Sequence, residues 1–88
     1  MNELTEHQRK VLQVLDSADE KRLQRTALSR ALQPLGVVEN DRVNAVNALY
    51  DMGCIRIERL YRRKRGQHPK VVILTETGSE ALHAAAAQ

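Results

Sequence analysis

Six basic side chains, Arg59, Arg62, Arg63, Lys64, Arg65 and Lys70, fall within the stretch 59–75, which contains no acid. Apolar residues flank the cluster, and Gly66 and Pro69 lie inside it. The pattern predicts a β-hairpin with a positively charged tip. Charges held this close repel one another unless a polyanion screens them, so the chemistry they can do is phosphate binding. The rest of the chain carries eight bases against eleven acids. A mildly acidic body with one basic projection fits local docking on nucleic acid. A basic tip also keeps a sheet edge from pairing with other chains, which is the plainer role for the same residues.

Other chemistries find little support. His7, His68, His83 and Cys54 match no zinc-ligand spacing and fall on different expected elements, so no metal is expected. No nucleophile–base order and no phosphate-cradling glycine loop occurs. The expectation is no enzyme activity, no catalytic residue and no cofactor. Tyr50 and Tyr61 are the only aromatics, too few for a platform that stacks single-stranded bases. The lone Cys54 excludes an internal disulfide and suits a reducing compartment. It reads as a small buried hydrophobe at the start of a strand. No apolar run approaches the roughly 18–20 residues that span a bilayer. The acidic, polar N-terminus predicts no secretory signal. A cytoplasmic, nucleoid-associated protein with no membrane partner is expected.

These residues need a scaffold, and 88 residues suffice for one domain, 1–88. An apolar content of 42% argues against overall disorder. Without Trp or Phe, the core must be built of Leu, Val, Ile and Ala. Thr5 and Gln8 have the spacing of a capping box before a helix over about 5–17, whose apolar stripe includes Val11, Leu12 and Leu15. A second, short helix lies within Lys21–Leu32, with Thr26 as its cap. Pro34 and Gly36 end it. Asn40 caps a third helix over about 40–52, and Gly53 stops it. Its expected core stripe is Val43, Val46, Leu49 and Tyr50, with Asn47 near that side. Asp41, Asn44, Ala45 and Ala48 then face outward, and Arg42 sits at the edge. Ile55 and Ile57 alternate with Arg56 and Glu58 as in a half-buried strand. Val71–Leu74 forms the second strand, and Thr75 caps a last helix through Leu82 into an Ala-rich tail. The fold class is mainly α with a small antiparallel β-hairpin (α+β).

Two short motifs sharpen this order of elements. Leu49-Tyr50-Asp51-Met52-Gly53-Cys54-Ile55 resembles the Leu-x-x-x-Gly-apolar-apolar exit from a recognition helix. Leu74-Thr75-Glu76-Thr77-Gly78 resembles the Leu-Thr-x-x-Gly bridge from a wing to the final helix. With the helix order, the chain resembles the winged helix-turn-helix superfamily, and most closely its MarR-like members. The long terminal dimerisation helices of that family have no counterpart in these residues. Arg62-Arg63-Lys64-Arg65 stands where its wing carries an Asp-Arg pair. The resemblance implies a DNA-binding core more than a ligand-responsive repressor.

The resemblance implies a small transcriptional regulator that binds double-stranded DNA with sequence preference. The third helix would enter the major groove with Asn40, Arg42, Asn44, Ala45, Asn47 and Ala48 as contact residues. Asn suits adenine edges, Arg suits guanine or phosphate, and small Ala side chains permit close approach. Asp41 would accept from a cytosine amine or serve only as a helix-start charge. Wing residues Arg62, Arg63, Lys64, Arg65, His68 and Lys70 would hold the backbone or enter the minor groove. Lys21, Arg22 and Arg25 would add phosphate contacts. A homodimer would match a palindromic site, through the Ala-rich last helix and the apolar face of the first. Two alternatives stay open: a protein-interaction module with an acidic partner, exposing Leu60 and Tyr61, and shape-dependent binding of double-stranded RNA.

Overall fold

Thr5 starts the first helix as its sequence predicts. Its hydroxyl accepts the Gln8 N–H at 3.2 Å, and the Gln8 amide oxygen accepts the Thr5 N–H at 3.1 Å. The computed structural model describes residues 4–59 and 70–86. In chain order these form α1 (Glu6–Ser17), β1 (Arg22–Gln24), α2 (Arg25–Leu32), α3 (Glu39–Asp51), β2 (Ile55–Arg59), β3 (Lys70–Leu74) and α4 (Glu76–Ala86).

The expected hairpin is part of a larger sheet. β3 lies in the middle of an antiparallel sheet of order β1-β3-β2, with Leu23 opposite Val72 and Ile57 opposite the same Val72 on the other side. A central position explains why Val71, Val72 and Leu74 are all buried. β1 escaped the sequence because three residues show no readable alternation, and Leu23 fits a helical stripe equally well. Glu20 and Lys21, with φ of 55° and 56°, turn the chain from α1 into this strand.

α1 packs against α2, α3 and α4. Its Val11, Leu12 and Leu15 join Leu28, Leu32 and Leu49 as fully buried side chains, so the core is aliphatic as expected. The apolar face of α1 is thereby used inside the fold.

Two helix starts differ from expectation. Thr26 lies inside α2, which follows directly from β1 with Gln24 at its cap position and no side-chain cap bond. α3 begins one residue earlier than expected, at Glu39, after an extended Val38 that also makes no side-chain cap bond. Asn40 is thus the second residue of α3. Glu39 and Asp41 supply negative charge to the positive helix end instead. Between α2 and α3, a 3-10 turn over Gln33–Leu35 closes at Gly36. Lys10 on α1 donates to the Leu35 carbonyl at 2.8 Å and ties the turn to the body. The arrangement of α2, turn, α3, sheet and α4 is a winged helix-turn-helix.

Among the described residues, no helix is long and apolar enough to cross a membrane.

Candidate nucleic-acid interface

The buried face of α3 is turned from its expected orientation: it keeps Val46 and Leu49 but takes Arg42 and Ala45 in place of Val43 and Tyr50. Its buried residues are Arg42, Ala45, Val46 and Leu49, while Val43 is half-buried and Tyr50 is 55% exposed. Ala45 therefore belongs to the core and not to the outer face. Arg42, expected at the edge, is only 5% exposed. The misreading has a physical cause. Four apolar residues on a short, mostly polar helix define a face poorly, and an alanine carries almost no periodic signal. A buried arginine is counted on the wrong side.

The corrected phase gathers a different set outside. Asn40, Asn44, Asn47 and Asp51 are all exposed, at spacings of four, three and four residues. Those intervals return to one face of an α-helix, so three amides and a carboxylate form a single polar ridge. Ala48 is half-buried on its flank. Asp51 was not singled out in the sequence, although its helical spacing from Asn40, Asn44 and Asn47 was the available signal. Asp41 is half-buried, with its carboxylate 3.9 Å from His7 Nε2 on α1. That location suits a structural charge better than a base contact.

Beside the ridge, a cleft of about 200 Å³ opens between α3, the first residue of α2 and the sheet. Arg25, Arg42, Asn47 and Lys70 line it above an apolar floor that includes Val46 and Val72. Lys21 and Arg22 do not share this site. Lys21 lies 3.4 Å from Asp16, and Arg22 lies 3.7 Å from Glu20.

The base of the wing is cationic. Arg59 and Lys70 are cross-strand partners on the last described rung of the hairpin. Like charges placed opposite each other destabilise a strand pair, which a bound anion would relieve. Lower on β2, Arg56 and Glu58 are paired at 2.8 Å. The expected contact residues Arg62, Arg63, Lys64, Arg65 and His68 lie outside the described residues, as do Leu60 and Tyr61.

Neither a protein-family model nor a curated protein matches the chain. Among solved structures it is similar to Sco3205, a MarR family transcriptional regulator from Streptomyces coelicolor in complex with DNA. The identity is 26% and the TM-score 0.72, over 92% of this chain and 47% of that one. It is also similar to hsRosR-S1 in a complex structure, at 21% identity and a TM-score of 0.74, over 96% of this chain and 70% of that one. The chain thus spans about half the length of the MarR family regulator. Its fold is a winged helix-turn-helix, similar to that of the MarR family regulator Sco3205 and of hsRosR-S1.

Proposed function

We propose that this chain binds double-stranded DNA with sequence preference and acts as a small transcriptional regulator. The observation that carries the reading is the polar ridge of Asn40, Asn44 and Asn47, flanked by the cationic cleft and the Arg59–Lys70 rung. A solved neighbour of the same fold is a regulator in complex with DNA, which supports it.

α3 enters the major groove with its asparagine ridge toward the base edges. An asparagine amide offers a donor and an acceptor side by side, the pattern that matches adenine N7 and N6. Asp51, at the far end of the ridge, keeps that end from resting on a phosphate. Arg62, Arg63, Lys64, Arg65 and His68 reach the backbone or the minor groove, and Lys70 joins them from the wing base. Arg42 and Ala45 leave the set of base-contacting residues because they point inward. This divides the labour. Backbone contacts supply affinity and register, and the ridge supplies preference.

Anisotropy titrations with mixed-sequence DNA and RNA duplexes at two salt concentrations test the reading. If the wing engages about four phosphates, the slope of log K against log salt is near −4 for DNA. Absence of salt-sensitive DNA binding at low salt would refute the proposal. Equal affinity for the RNA duplex would replace it with shape-dependent RNA binding.

A further inference from the structure

We propose that the cleft between α3 and the wing base seats one phosphate of the DNA backbone, gripped jointly by Arg25, Arg42 and Lys70. The inference rests on the reading of the protein as a duplex-binding module and names a contact within it.

Three observations converge. First, three cations from three separate elements line the cleft, and among the described residues no carboxylate lines it. Second, Arg42 is committed to very little inside the protein. It is 5% exposed, and its Nε has no hydrogen-bond partner among the described residues. Its Nη2 lies 3.9 Å from Glu39, whose own side chain is 80% exposed. A guanidinium offers five donors, so holding it out of water with so few acceptors is unfavourable. An anion entering the cleft would supply the missing acceptors. Third, the location is where a strand must run. A helix in the major groove and a wing in the adjacent minor groove straddle one phosphodiester chain, and this cleft opens between them. A volume of about 200 Å³ is several times that of one water, so phosphate oxygens can enter with part of their hydration.

The salt slope distinguishes one shared phosphate from several separate ones, because it counts phosphates neutralised, not cations present. Duplex affinity is measured against salt for the wild type and for Arg25→Gln, Arg42→Gln, Lys70→Gln and the triple variant. Circular dichroism checks that each variant folds. Each single change weakens binding, and the triple change lowers the slope by about 0.9, the value for one phosphate. A reduction near three times that value means three separate contacts and overturns the shared seat. Unchanged slope and affinity in the triple variant also overturn it, while leaving duplex binding intact. Failure of the wild type to bind any duplex refutes the underlying reading itself. Arg42 is buried, so the Arg25→Gln, Lys70→Gln double variant carries the same test if the triple variant does not fold. Its slope falls by no more than about 0.9 under the proposal and by twice that for separate contacts. Inorganic phosphate at constant ionic strength separates a free oxyanion from a diester. If it raises the melting temperature of the wild type while the triple variant binds duplex normally, the cleft serves a free oxyanion and the proposal falls.

Discussion

The hydroxyl of Thr75 donates to the carbonyl of Gly53 at 2.7 Å, across 22 residues of sequence. The same oxygen accepts the Gly78 N–H at 3.1 Å, and the Thr75 N–H donates to the Cys54 carbonyl at 3.1 Å. The exit of α3, the end of β3 and the start of α4 therefore meet at one side chain. This joint fixes the angle between α3 and the strands β2 and β3. Thr75→Val keeps the shape and removes both hydroxyl bonds. It should destabilise the fold by about 1–2 kcal/mol in urea denaturation. Thr75→Ser should restore most of the loss.

Gly78 completes the joint by having no side chain. A β-carbon there would land on the Cys54 carbonyl oxygen and lie 2.8 Å from Leu74 Cδ1. The clash involves backbone, so no rotamer change relieves it. Gly78→Ala should cost about 1–3 kcal/mol, read from the denaturation midpoint. Gly53→Ala is a useful contrast. Its φ of 76° strains an alanine, but the space is open, and the cost should be about 1 kcal/mol.

The two short motifs were legible because each residue in them has a local reason that is also a tertiary one. Leu74 fills the core, Thr75 caps α4, Gly78 admits the Cys54 carbonyl, and Gly53 turns the chain with positive φ. The Thr5–Gln8 cap was legible for the same reason. What failed was information that only packing supplies. β1 is three residues long and acquires strand geometry from its pairing with β3. The phase of α3 is set by α1 and the sheet packing against it, which select Ala45 and Arg42 over Tyr50 for the inner side. No residue type in Asn-Asp-Arg-Val-Asn-Ala announces that choice. The asparagines survived the rotation as candidates because they recur at helical spacing.

Cys54 offers a pH-dependent readout of the joint. Burial raises its thiol pKa above the ordinary range of about 8.5. The folded form thus disfavours the thiolate. Below about pH 8.5 both states hold the proton, and the stabilising contribution is fully present. As pH rises through the native pKa, the unfolded chain ionises first and that contribution is lost. Wild type should therefore lose stability at alkaline pH faster than Cys54→Ala, measured as the difference between their denaturation midpoints across a pH series. Iodoacetamide should also label the native thiol more slowly than the denatured one at pH 8, as followed by mass spectrometry.

The ridge and the wing should fail in different ways when altered. Asn44 sits at the middle of the ridge, where a bidentate amide–adenine contact would be worth about 1–3 kcal/mol of discrimination at one base pair. Asn44→Ala should relax the preference at one position in a pool of duplexes selected from random sequence, while the salt slope stays near that of wild type. Arg63→Gln with Arg65→Gln should weaken binding to every duplex alike and lower the slope by about 1.8, two phosphates' worth. The selected consensus should not move. The reverse outcome, a changed consensus from the wing and a changed slope from Asn44, would mean that the wing reads bases and α3 holds the backbone. Ala45 supplies the internal control. It is 4% exposed, so Ala45→Leu should overfill the core and lower stability by about 1–3 kcal/mol. A loss of base preference from Ala45→Leu at unchanged stability would contradict the inward orientation of that face.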